Sequence, residues 1–208
     1  MVADATQWRR RAYRRIIPML FSSPVFLFLF LPAVLALYYL APARLKNLLL
    51  LLSSLFFYAW GEMLYVFLML TSALANFGFG LAINHFRDTR LHRTLLWVGV
   101  CFNLSLLIAF KYLNFLVENL NILSQAINLP AITLQEVHLP LGISFFTFQA
   151  MSYIIDVYRG EAAVQKRFSS IALYIALFPQ LIAGPIVRYH DVANQILFRR
   201  IDAALVVS

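Results

Sequence analysis

The sequence predicts an all-α, polytopic transmembrane protein with about five to six membrane segments, the last of them broken or re-entrant. Of its 208 residues, 62% are apolar and only 12% are charged, and the mean hydropathy is +0.78. Soluble domains average about 45–50% apolar and about 25% charged residues. The composition therefore excludes an ordinary soluble domain, and any chemistry must be built among membrane helices.

The first uncharged run extends over residues 16–43 and predicts the first membrane segment. Arginines precede it and small residues end it, so a secretory signal is the alternative interpretation. The run is longer than the about 7–15 residues of a signal core, which favours a membrane segment. Three prolines interrupt it, namely Pro18, Pro24 and Pro32.

The second run, 47–84, holds a single charge at Glu62, next to Gly61. We expect these two residues to mark the turn of a helical hairpin, with a short helix at 47–60 and a full-length span at 63–84. The second half is rich in small residues, which let neighbouring helices approach closely. They are Ala73, Ala75, Gly78, Gly80 and Ala82.

A fourth span is predicted at 94–110 and is expected to continue past Lys111 toward residue 117. The polar stretch 119–135 is expected to be an interfacial or amphipathic connector. The uncharged run 137–155 predicts the fifth span, with Pro140 in its first turn, where a proline is well tolerated.

The last uncharged run, 168–187, contains prolines and a glycine, so we predict a broken or re-entrant segment. Inside a membrane, irregular backbone is tolerated only against protein or water, and it is one way to place polar groups on a substrate path. A simple kink is the alternative interpretation. The candidate residues at this break are Pro179, Gln180, Gly184, Pro185 and Arg188.

Charge in the short loops predicts the orientation, because basic loops stay in the cytoplasm. The basic loops lie at 44–46, 87–93 and 159–167. The connector at 118–137 has no Lys or Arg, so the loops alternate as a multi-pass protein requires. The arginines before the first span break the rule, and we therefore expect translation to begin at Met19, with 1–18 a basic extension that is not part of the native protein.

Signatures of soluble enzymes are missing from the sequence: it has no P-loop, no G-x-S-x-G, no H-E-x-x-H and no paired cysteines. The formal charge is +8, but the basic residues are scattered between apolar runs, which excludes a nucleic-acid partner. No histidine has a metal-ligand neighbour, so no metal site is predicted and each is expected at an interface. They are His85, His92, His138 and His190.

The fifth predicted span carries one polar face. Gln149, Ser152, Tyr153 and Asp156 stand at positions i, i+3, i+4 and i+7, which share one side of a helix. Such a face either joins helices through hydrogen bonds or lines a hydrated path, and both interpretations stay open. A local alternative is that Asp156 simply pairs with Arg159 or serves as a structural cap.

Five blocks of sequence stand out in a fixed order. They are FSSPVFLFLFLP at 21–32, FYAW at 57–60, LPLGISFFTFQ at 139–149, YIIDVYRGE at 153–161 and FPQLIAGPIVRY at 178–189. Together they resemble the membrane-bound O-acyltransferases (MBOAT), and within that family the bacterial alginate O-acetyltransferase branch. The resemblance covers residues 19–195, an N-terminal membrane part of the family's domain, whereas 196–208 departs from the pattern as a truncated end would.

The resemblance implies a multi-pass enzyme of the bacterial cytoplasmic (inner) membrane. Such an enzyme transfers an acyl group, here acetyl, from a thioester donor to hydroxyls of an exported polysaccharide such as alginate. Implied partners are the lipid bilayer and polysaccharide-acetylation proteins or an acyl carrier, and no bound cofactor is implied. The family's catalytic histidine stands on a later helix, beyond Ser208, so we expect no catalytic residue in this chain and no activity from it alone.

What this part would contribute is scaffold and tunnel wall. The candidates are Gln149, Ser152, Tyr153, Asp156, Arg159, Pro179, Gln180, Gly184, Pro185 and Arg188. Two alternatives remain open: a transporter or export-pore component, whose path the same residues would line, and a non-catalytic structural fragment.

Overall fold

The computed structural model describes residues 23–126, 130, 138–183 and 187–197. Every regular element within these ranges is a helix, which confirms the all-α prediction. A π-helical turn at Phe26–Phe30 leads into the first α-helix. The α-helices are α1 (Leu31–Leu40), α2 (Lys46–Glu62), α3 (Tyr65–His85), α4 (Leu91–Lys111), α5 (Leu113–Ala126), α6 (Ile143–Arg159), α7 (Phe168–Ala176), α8 (Phe178–Ala183) and α9 (Tyr189–Leu197).

Four sequence predictions fall outside the described residues and stay predictions. They are the extension 1–18, the start at Met19, the break at Gly184 and Pro185, and the divergent end 196–208, of which only residues 196 and 197 are described.

Among the described helices, α3 and α4 are long and apolar enough to cross a membrane. Each has 21 residues, about 31 Å of helix at about 1.5 Å per residue, which matches the about 30 Å hydrocarbon core of a bilayer. Large apolar side chains cover their outer faces, among them Phe67, Leu74, Trp97 and Ile108. An apolar surface of this kind suits lipid, and the number of crossings stays a prediction.

The centre of the molecule is α6, which packs against α3, α4, α7 and α9. Its apolar residues form the main core together with α7, where residues 170–176 are all buried. A smaller aromatic cluster of Phe26, Phe30, Phe57 and Phe178 holds the π-helical turn against α2 and α8, with edge-to-face contacts at 5.2–5.9 Å. The functional candidates on α6 therefore lie inside the fold.

Small and polar residues set the close packing of α3. Gly80 lies against the ring of Tyr153 on α6, and a Cβ at this position would fall 2.6 Å from two ring carbons. Asn76 of α3 and Asn103 of α4 exchange two buried amide hydrogen bonds of 3.0 and 2.7 Å. The predicted close approach is thus made at Gly80, while Gly78 faces open space.

The predicted division of 47–84 into two helices is confirmed, but the boundary lies later than predicted. Gly61 remains helical in the last turn of α2, and the chain turns at Met63 and Leu64. Nothing forces a break at Gly61, since its backbone does not use the positive φ that favours glycine. Glu62, at the end of α2, lies 3.2 Å from the imidazole of His138.

The fourth span does not continue past Lys111, contrary to the prediction. α4 ends at Lys111, Tyr112 follows with φ −113° and ψ −5°, and α5 starts at the next residue. No described side chain of α5 is buried, so this helix lies on the surface and agrees with the amphipathic connector predicted from residue 119. The rest of that connector is not described, apart from Pro130.

The fifth span begins and ends later than predicted because glycines with left-handed backbone bound it. Pro140 lies in the turn before the helix, and Gly142, at φ +75°, precedes the first residue of α6. Gly160, at φ +74°, ends the helix, and its N–H donates to the carbonyl of Val157 at 3.2 Å. As a result the whole polar face, Asp156 included, lies within one helix.

The last segment is interrupted, as predicted. α7 ends at Ala176, Leu177 adopts an extended ψ of 113°, and α8 starts at Phe178. Pro179 then occupies the first turn of α8, where its missing N–H costs nothing. The N–H of Phe178, freed by the break, donates to the hydroxyl of Ser54 on α2 at 3.3 Å. Whether the segment is re-entrant stays a prediction.

Candidate functional site

The polar face of α6 points into the helix bundle. Gln149, Tyr153 and Asp156 are buried, and Ser152 is half-buried beside them. Helical spacing alone brings these four residues together, and the packing of α6 among four other helices removes them from the surface. They form the inner wall of the candidate site.

Ser152 and Asp156 join α6 to the beginning of α9. The hydroxyl of Ser152 accepts the N–H of Tyr189 at 3.2 Å, and Oδ2 of Asp156 accepts the N–H of His190 at 3.1 Å. The Ser152 hydroxyl also lies 3.4 Å from the same carboxylate oxygen. The first amides of a helix have no partner within the helix, and a carboxylate is favoured at its positive end. For these two residues the structure therefore favours the helix-joining interpretation.

Of the two local alternatives for Asp156, capping is confirmed by the bond from the His190 N–H, and pairing with Arg159 is wrong. Arg159 lies 3.8 Å from Glu161 instead, and both side chains are exposed. The left-handed turn at Gly160 reverses the chain, so the N–H groups of Glu161 and Ala162 donate to the Asp156 carbonyl at 3.0 and 3.3 Å. This fold-back leaves the Asp156 carboxylate free to face α9.

His190 was not predicted to be part of this site. Its Nδ1 lies 3.7 Å from Oδ2 of Asp156, and its Nε2 lies 2.8 Å from Oδ1 of Asp191. The imidazole is thus held between two carboxylates, an arrangement that can hold a proton or a cation. Sequence reasoning missed it because Asp156 and His190 are 34 positions apart, and no helical spacing connects them.

Three tyrosines close the site on the core side. The ring of Tyr189 makes edge-to-face contacts with Tyr153 and Tyr174, at centroid distances of 4.9 and 5.2 Å. The hydroxyl of Tyr174 donates to the carbonyl of Val187 at 2.8 Å, which ties the chain before α9 to α7. The hydroxyls of Tyr153 and Tyr189 are buried and have no hydrogen-bond partner among the described residues.

Known proteins resemble this chain over most of its length. It is 43% identical over 179 residues to the probable alginate O-acetylase of Azotobacter vinelandii, which covers 85% of this chain and 36% of that protein. It is 44% identical over 178 residues to the corresponding protein of Pseudomonas aeruginosa, covering 85% and 34%. The peptidoglycan O-acetyltransferase of Helicobacter pylori is 32% identical over 212 residues, covering 87% and 39%.

This chain is a homologue of the alginate O-acetylases. The match confirms the resemblance to the alginate branch of the MBOAT family. The chain spans about a third of the length of the curated relatives it matches. No family model matches the chain, and no solved structure does. The chain also has two helices of spanning length with apolar outer faces. Together with the homology, they indicate a membrane protein.

Within this alginate O-acetylase homologue, Gln149 shares with Tyr153, and not with Ser152 or Asp156, a buried polar group that has no hydrogen-bond partner among the described residues. It is completely buried on α6, yet neither its Oε1 nor its Nε2 has a hydrogen-bond partner among the described residues. An amide buried in this way costs about 1–3 kcal/mol. Packing alone does not account for a polar side chain at this position, and for Gln149 both interpretations stay open.

The candidates at the break of the last segment are less well placed. Pro179 and Arg188 are exposed and Gln180 is half-buried, so no described contact makes them part of the polar wall. Gly184 and Pro185 lie outside the described residues. The candidate site of the described chain is thus the inner face of α6 together with α9, the loop after α6, and Tyr174.

Proposed function

We propose that this chain supplies scaffold and tunnel wall to an O-acetyltransferase that acts on hydroxyls of an exported polysaccharide such as alginate. The observation that carries the proposal is the identity of 43–44% to two alginate O-acetylases across 85% of the chain. The acyl donor is a thioester, and the acceptor is reached on the outer side of the bacterial inner membrane, which the enzyme crosses several times.

The chemistry divides between this chain and the rest of such an enzyme. Acetyl transfer needs a general base for the acceptor hydroxyl and donors for the developing oxyanion. The base is a histidine outside this chain, so residues 1–208 are inactive alone. The polar wall of α6 contributes positioning, with the unpartnered amide of Gln149 directed to a polar group of the substrate or to water that accompanies it.

A chimera tests the proposal. Residues 19–195 replace the aligned segment of the Pseudomonas aeruginosa relative, in an alginate-producing strain that lacks its own copy. We expect acetylated alginate, measured as acetyl groups per uronic acid residue by proton NMR. A chimera that is present in the membrane at normal amount, yet leaves alginate unacetylated, would contradict the proposal.

The same strains test the alternatives. The 208-residue chain expressed alone should leave alginate unacetylated, because the base is missing. If this chain were instead a transporter or pore component, the chimera would change the amount of exported alginate and leave its acetyl content unchanged. If this chain were a non-catalytic structural fragment, the chimera would leave alginate unacetylated whether the residues of the polar wall are intact or substituted.

A further inference from the structure

Three side chains with metal-ligating atoms converge at the end of the polar wall, where Asp156 meets two residues from outside it. They come from the end of α6, the following loop and the start of α9: Asp156, Glu161 and His190. Their ligand atoms all lie within 4.8 Å of one another, and no other such group of three is found in the described part of the chain. Asp156 is buried, His190 is half-buried and Glu161 is exposed, so an ion can enter from the surface.

The orientation of His190 points to a cation between these groups. Its Nε2 lies 2.8 Å from the Asp191 carboxylate, so this nitrogen carries the ring proton and Nδ1 presents a lone pair. Nδ1 is itself buried and has no hydrogen-bond partner among the described residues. It faces the carboxylate oxygen of Asp156 at 3.7 Å. Oδ2 of Asp156 also accepts the N–H of His190 at 3.1 Å, and a metal ion between Oδ2 and Nδ1 would give the unpartnered Nδ1 a partner.

The support of His190 by a carboxylate is the arrangement that metal-binding histidines use. A ligating imidazole usually donates its other N–H to a carboxylate or carbonyl, which fixes the tautomer and the ring orientation. Asp191 occupies that position here. His138 lacks this support: it is exposed, and the structure pairs it with a single carboxylate, Glu62.

We propose that Asp156, Glu161 and His190 bind a divalent metal ion of the Zn²⁺ type. One imidazole and two carboxylates are N and O ligands that Zn²⁺ accepts, and three protein ligands leave a position open to water. Zn²⁺ bonds of about 2.1 Å separate tetrahedral ligand atoms by about 3.4 Å, close to the 3.7 Å between Asp156 and His190.

The remaining ligand must move inward to complete the site. Glu161 can do so because its side chain is exposed and its present partner, Arg159, is a solvent-screened cation at 3.8 Å. An exposed pair of this kind contributes little to stability. The site forms from chain segments of this protein alone and does not depend on acetyl transfer, so metal binding and the proposed function are tested separately.

The test is a zinc titration of the full 208-residue chain in detergent after treatment with a chelator. Bound metal is measured per chain after gel filtration, and affinity by competition with a coloured chelator. We expect one saturable equivalent. Glu161→Gln and His190→Gln should each weaken binding at least about tenfold, and Asp191→Asn, which removes only the support of His190, about 10–100-fold. His138→Gln is the matched control and should leave the affinity unchanged.

Two results would overturn the proposal. One is the lack of saturable binding at neutral pH, which would mean that a proton occupies the space beside Nδ1. The other is binding that Glu161→Gln and His190→Gln leave unchanged, which would place the metal elsewhere. Glu161 is exposed and makes no core contact, so its variant is expected to fold, and circular dichroism checks this for every variant.

Discussion

Replacing Gly80 with alanine tests the packing that holds α6 in place. The added Cβ would lie 2.6 Å from Cε1 and Cζ of Tyr153. Tyr153 is fully buried and its ring packs against Tyr189 at 4.9 Å, so it has no free space to move into. Overpacking of this kind costs about 1–3 kcal/mol.

Gly78→Ala provides the matched control on the same helix. Its Cβ would meet nothing within 4 Å, so this variant changes only the helix propensity, by about 0.5–1 kcal/mol in favour of alanine. Because both variants share that gain, the difference between their free energies of unfolding isolates the clash, and we expect about 1–3 kcal/mol.

The assay is reversible unfolding in mixed detergent, followed by circular dichroism. A Tyr153→Leu background should remove most of the cost of Gly80→Ala, since the ring that the Cβ meets is gone. Equal stability of Gly80→Ala and Gly78→Ala would refute the close approach of α3 to α6, and so would a cost that persists without the ring.

Two further predictions concern the polar contacts between helices. Asn76→Leu leaves the buried Oδ1 of Asn103 without its donor, while Nδ2 keeps its bond to the Gly99 carbonyl, and should cost about 1–3 kcal/mol. The double change to leucine should cost less than the sum, which a double-mutant cycle on unfolding free energies measures. Asp156→Ala removes the carboxylate that caps α9 and should cost about 0.5–2 kcal/mol. Hydrogen exchange at the His190 amide should then accelerate, and an unchanged rate would contradict the cap.

Local patterns in the sequence predicted much of this fold. The helical class, the division of 47–84 into two helices and the interruption near Pro179 follow from uncharged runs and from the positions of charge, proline and glycine. The shared face of Gln149 and Asp156 follows from helical spacing, which needs no knowledge of the fold. These features depend on neighbours within a few residues along the chain.

What the sequence did not predict depends on contacts between distant segments. A capping role for Asp156 was one of the local alternatives, but the sequence did not indicate that the element it caps is the start of α9. His190 was expected to be a plain interfacial residue and lies instead against Asp156. A helix periodicity gives the direction of a side chain but not the element that will meet it. The end of α4 at Tyr112 was likewise not visible in composition.

The measurement that tests the account most directly is the acetyl content of alginate made by the chimera carrying Gln149→Met. Methionine has a similar length and removes the unpartnered amide, so the variant should be as stable as the parent or more stable. If the wall of α6 serves acetyl transfer, acetylation nevertheless falls.

Thr147→Val is the control, because this hydroxyl is also buried without a partner among the described residues but is not part of the polar face. It should leave acetylation unchanged. We predict, at equal amounts of protein in the membrane, a loss of acetyl groups with Gln149→Met alone. Full acetylation by a stabilised Gln149→Met chimera would contradict the account and assign the polar face of α6 to helix packing.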